Sequence, residues 1–167
     1  MESRARVFGH SLHQIVIVFP LGLLMTSVGF DLFSLVTHDS RWLATSYYVM
    51  VVGLLGGVVA MVAGYIDYTA IPHGTRAKKI GKYHGLGSTG VIAIFAISAA
   101  LRMNNPTAAT LFAIGLSLFG AAAAGVAGWL GGELVTRMGV GVADGAHVDA
   151  GSSADVVAPV LRRATPD

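Results

Sequence analysis

The 167-residue chain has no cysteine. Disulfides, iron–sulfur clusters, thiolate zinc sites and covalently attached c-type haem are therefore excluded. Charge is scarce as well: Asp, Glu, Lys and Arg make up 12% of the residues, about half the share in an ordinary soluble domain. The formal net charge of +2 is too small to point to nucleic acid as a partner. What replaces the missing charge is apolar. Hydrophobic residues make up 54% of the chain, and its mean hydropathy is +0.68. The 22 glycines lie within apolar runs as well as between them, which suits membrane helices that pack closely.

Four apolar runs, at about 12–36, 43–66, 83–101 and 107–131, are each close to the roughly 20 residues a helix needs to cross a bilayer. None alternates polar and apolar residues as a half-buried strand would. A helix also satisfies its own backbone in lipid. The run after Arg4 and Arg6 is too long for a signal-peptide core, so the first helix is expected to be retained. Short connections at Thr37–Trp42 and Arg102–Pro106 favour antiparallel neighbours, and Pro106 reads as a helix-start signal. The expected fold is all-α: an integral-membrane, up-down-up-down four-helix bundle over residues 1–142. A flexible tail, 143–167, rich in Ala, Gly, Ser and Asp with one short apolar patch at Val156–Leu161, follows as an extended or partner-bound cytoplasmic segment.

Positive charge sets the expected orientation. Arg4, Arg6, Arg76, Lys78, Lys79, Lys82 and Arg137 fall on the side where the chain enters, called here the near side. Only Arg41 and Arg102 fall on the far side. The positive-inside rule then puts the near side and both termini in the cytoplasm of a cell bounded by a plasma (inner) membrane. The small-residue pairs Gly53/Gly57, Gly81/Gly85 and Gly128/Gly132 are read as faces that hold the bundle together, or as docking faces for other membrane subunits.

This threading brings chemistry-bearing residues to the near side. His10 and His13 open the first helix and share a face if both are helical. Asp67 closes the second helix, His84 opens the third, and Glu133 closes the fourth. His10, His13, His84, Asp67 and Glu133 form a candidate set for a transition metal, zinc or iron. The carboxylates serve there as ligands or as hydrogen-bond acceptors behind the imidazoles. Haem b is the second cofactor reading, with His13 and His84 as axial ligands and Gly85, Gly87 and Gly90 making room beside His84. Beside both stands a plainer reading, in which helix-end histidines and acids are interfacial residues and His84 bonds a neighbouring carbonyl. Asp31 follows His13 by five helical turns, roughly 27 Å along the same face, and is expected to pair with Arg102 or Tyr47.

Several segments together resemble a bacterial domain-of-unknown-function family of small four-helix membrane proteins. They are Gly9-His10-x-x-His13, Phe19-Pro20-x-Gly22-Leu23, Gly64-x-x-Asp67, His84-Gly85 and Gly128-Trp129-Leu130-Gly131-Gly132-Glu133-Leu134-Val135. Family members commonly open with Gly-His-Pro-x-His-Pro, and this chain has Ser11 and Gln14 in place of the prolines. The resemblance implies the fold and a membrane location and carries no activity. The functional expectation is a multi-pass membrane protein with a histidine/carboxylate metal or haem site, serving electron transfer. The alternative is a non-catalytic accessory or structural subunit of a larger membrane redox complex. A carrier would be expected to show an inverted repeat or broken helices. No nucleophile elbow or phosphate loop suggests metal-free catalysis.

Overall fold

A computed structural model describes residues 1–153. Four helices follow a short N-terminal hairpin: α1 Leu12–Thr37, α2 Arg41–Ala70, α3 Arg76–Arg102 and α4 Leu111–Thr136. Each is long and apolar enough to cross a membrane. At 1.5 Å per residue, 26 to 30 residues reach about 39–45 Å, past the ~30 Å hydrocarbon core. The histidines near the starts of α1 and α3 meet, as do Asp31 and Arg102 near their ends. These two helices therefore run parallel, and α2 and α4 return between them, which is the expected up-down-up-down bundle.

The helix ends depart from the expected ranges. α3 begins at Arg76, not 83, because Thr75 caps it by accepting a bond from the Lys78 N–H at 3.1 Å. The basic stretch between the second and third apolar runs, Arg76 to Lys82, thus forms the first turns of α3. α4 begins at Leu111, not 107. Its cap is Thr110, which accepts from the Ala113 N–H at 3.2 Å, and Pro106 stays in the connection. Hydropathy marks where the lipid is, whereas capping marks where the helix starts.

The N-terminus corrects a second expectation. β1 (Arg6–Val7) and β2 (His10–Ser11) form an antiparallel two-residue ladder. Phe8 and Gly9 turn between them, both with positive φ (49° and 84°), as a tight two-residue hairpin turn requires. His10 therefore sits on a strand and does not share a helix face with His13.

The bundle buries polar side chains alongside an apolar core and exposes many large apolar ones. Phe119, Val126, Trp129 and Leu55 are exposed, while Ser27, Ser46, Ser98, Ser117, Asp31 and Arg102 have no solvent exposure. Side chains facing lipid have no reason to hide, and interior polar groups must find partners in the bundle. The apolar core, with Leu24, Val28, Met50, Val91, Phe95 and Ala99, occupies the middle and far half. Small residues permit close approach at selected places: a Cβ at Gly53 would lie 3.0 Å from Leu24, and one at Gly120 would lie 2.9 Å from Phe95. Gly128 and Gly132 have nothing within 4 Å and so do not serve internal packing. Residues 143–153 are mostly exposed turns, and the apolar patch Val156–Leu161 of the expected tail lies outside the described residues.

Candidate site: a histidine pair in an apolar cavity

His13 on α1 and His84 on α3 face each other with ring centres 6.2 Å apart and planes at 86°. Each ring is fixed by the second helix of its own hairpin. His13 Nδ1 lies 2.8 Å from the Ala60 carbonyl oxygen on α2, and His84 Nδ1 lies 2.8 Å from the Ala127 carbonyl oxygen on α4. A carbonyl oxygen only accepts, so each Nδ1 must carry the proton and donate. Each Nε2 is then left with a lone pair. Neither Nε2 has a hydrogen-bond partner among the described residues. Glycines let the rings sit so close to the opposing helix. A Cβ at Gly64 would lie 2.9 Å from the His13 ring, and one at Gly131 would lie 3.0 Å from the His84 ring.

Both imidazoles line a cavity of about 680 Å³ that receives residues from all four helices. Its walls are mainly apolar and small, with Gly57, Gly85, Ala124 and Gly128 among them, and Ser11, Gln14 and Lys82 lie at its near end. The volume falls within the usual range for small-molecule and cofactor sites, roughly 300–1,000 Å³.

The other expected ligands have other partners. Asp67 is gripped by the N-terminal segment. Ser3 Oγ lies 2.6 and 2.7 Å from its two oxygens, and the Arg4 and Ala5 N–H groups donate to Oδ1 at 2.8 and 3.1 Å. Glu133 pairs with Arg76 at 3.4 Å on the surface. His10 Nε2 lies 3.2 Å from Ser153 Oγ. Among the described residues no three histidine, aspartate or glutamate side chains gather closely enough to hold a metal ion. The structure thus joins His13 with His84; Asp67 lines the same cavity but is bonded to the N-terminal segment, while His10 and Glu133 lie outside that lining. Ser3 has no part in the sequence reading; the only signal for it is a small hydroxyl residue on the side where Asp67 emerges.

At the far end the expected ion pair is present, and its partner is Arg102, not Tyr47. Arg102 Nη1 and Nη2 reach the two Asp31 oxygens at 2.6 and 2.9 Å. Nη2 also reaches Ser98 Oγ, Ser117 Oγ and the Ala113 carbonyl at 2.8–3.0 Å. Arg102 is therefore an interior residue and not the far-side topology charge it is taken for in the sequence.

No curated protein and no solved structure matches the chain. The family described as "Predicted membrane protein (DUF2231)" matches residues 9–144, in keeping with the four spans, and the chain belongs to that family of multi-pass membrane proteins.

Proposed function

We propose that the chain is a haem b protein of the plasma membrane, with His13 and His84 as axial ligands, and that it serves electron transfer. The observation that carries this reading is the pair of opposed imidazoles, both with Nδ1 committed to a carbonyl and Nε2 free. Imidazoles bound on opposite sides of one metal ion through bonds of about 2 Å have ring centres roughly 6 Å apart. The observed 6.2 Å matches that spacing. The carbonyl bonds are the kind of support that orients metal-ligating histidines.

The ligand count favours haem over a bare ion. Zinc held by protein groups takes at least three of them, and only two imidazoles meet here. Haem brings four nitrogen donors of its own, so two side chains complete it. The apolar cavity beside the pair supplies room between the two hairpins. Haem held by His13 and His84 would supply electron exchange, with no position left for a small molecule at the iron. The basic residues of the near side favour placing that end, and both termini, in the cytoplasm.

The test is to express the chain with haem supplied, purify it in detergent and record its absorption and electron paramagnetic resonance spectra. Haem at one equivalent with a low-spin bis-imidazole signature supports the reading. Folded protein that stays colourless overturns it. The accessory-subunit reading keeps one specific observation in its favour: Gly132 is exposed with open space around it and lies outside the cavity lining. Substituting Gly132 with Leu and looking for loss of a co-purifying membrane subunit tests it.

A further inference from the structure

The four helices are two copies of one hairpin. With an offset of 71, the buried residues Pro20, Leu24, Ser27, Val28 and Asp31 of α1 correspond to Val91, Phe95, Ser98, Ala99 and Arg102, all buried in α3. With an offset of 67, Ser46, Met50, Gly53, Gly57 and Ala60 of α2 correspond to Ala113, Ser117, Gly120, Ala124 and Ala127, all buried in α4. Contacts repeat along with burial. Gly53 packs on Leu24 as Gly120 packs on Phe95, and His13 bonds Ala60 as His84 bonds Ala127.

Equivalent residues of two repeats touch each other when a two-fold axis relates the repeats and passes between them. Here two such pairs touch: His13 with His84, and Asp31 with Arg102. Both lie on one axis that runs from the near end of the bundle to the far end. On that axis the two pairs differ in kind. The histidines are identical, as suits a ligand that both hairpins approach in the same way. The charges are opposite. Two identical hairpins would set Asp against Asp or Arg against Arg in a dry interior, where unpaired or like charges are strongly unfavourable.

We infer that Asp31–Arg102 is a positioning pair: a charge key that makes the two unlike hairpins pair in one register and so holds His13 opposite His84. Its two-pronged geometry fixes direction as well as distance. A slip of one hairpin by a single turn, 5.4 Å, would separate the buried charges and part the imidazoles by as much. Such a register-setting role is the best attested use of a buried polar pair. The surroundings are keyed too: Ser117 and Ser98 receive the guanidinium, and the residue equivalent to Ser117 in the first repeat is Met50.

The inference rests on the haem reading only for its spectroscopic arm; the main arm is free of it. In this cysteine-free chain, His13→Cys with His84→Cys provides a cross-linking site for a short bifunctional thiol reagent. Joining of the hairpins is read after cleavage in the loop 71–75. The unaltered key is expected to give efficient cross-linking. Arg102→Asp should lower the yield at least about tenfold, by placing two acids on the axis. Adding Asp31→Arg to Arg102→Asp should recover most of that loss, less what the serine environment withholds. Should Arg102→Asp fail to fold, the isosteric Asp31→Asn decides, with an expected fall of several-fold. Undiminished cross-linking in folded single-charge variants, or a charge swap no better than Arg102→Asp, overturns the inference. In the native-histidine background the probe is ferric haem. The swap should keep the bis-imidazole signature that Asp31→Asn weakens. A chain that cross-links as expected but takes up no haem overturns the haem reading alone.

Discussion

The two ends of the bundle's internal axis hold polar side chains in opposite ways. At the far end Asp31 and Arg102 are wholly buried, and hydroxyls and a carbonyl take up nearly every donor; of the fully buried side-chain nitrogens and oxygens among the described residues, only Arg102 Nε lacks a partner. At the near end His13 and His84 each use one nitrogen on a backbone carbonyl and keep the other open to a cavity of about 680 Å³. Both sets sit in helices made for lipid, where polar groups are costly. The difference teaches how to divide such groups. A network that satisfies nearly all of its donors holds the fold, whereas a half-satisfied pair beside a cavity is where the proposed ligand would sit.

The largest effect expected from breaking the comparison is at the closed end. Arg102→Met leaves Asp31 buried without its partner and should lower stability by about 3–5 kcal/mol, measured by unfolding in detergent micelles. Adding Asp31→Leu should return most of it, because no charge then remains buried. At the open end His84→Ala or His13→Ala should leave stability nearly unchanged. Haem affinity, measured by titration at the Soret band, should fall at least about 100-fold, since a ligand matters more than the groups that support it. A smaller loss is expected for Gly64→Ala or Gly131→Ala, whose added Cβ would crowd a ring at 2.9–3.0 Å. Each should weaken haem binding about tenfold, as supporting-group changes do. The smallest effect is Ser3→Ala, which removes one donor from the Asp67 carboxylate. Protection of the N-terminal segment in hydrogen exchange should drop by about 1–2 kcal/mol, with the spectrum unaltered.

The architecture was readable because lipid writes a simple rule into the chain: four apolar runs of membrane length, short connections and no competing alternation. The Asp31–Arg102 pairing is only half readable: an acid within a span needs a partner, but the sequence leaves Arg102 and Tyr47 both open and reads Arg102 as a charge at the membrane edge. The ends of the helices were less so, because the Thr75 and Thr110 caps are local hydrogen bonds that hydropathy does not register. The spacing of His10 to His13 suits a helix, and the Phe8-Gly9 turn overrides it. Asp67 and Glu133 reach the near side as threading requires, yet Ser3 and Arg76 bond them there. Gathering at one membrane level is a weaker condition than pointing to one centre. The internal repeat was present in the sequence as the shared spacing His13…Asp31 and His84…Arg102. Its apolar positions differ in identity while matching in burial, so it becomes plain only once burial is known.

The most direct test of the central claim, that His13 and His84 hold one haem between the hairpins, is the electron paramagnetic resonance spectrum of the purified ferric protein. The account predicts a low-spin signal of two imidazole ligands, lost when either histidine becomes alanine while the protein stays folded. A folded chain that takes up no haem, or one whose signal survives both substitutions, would contradict it.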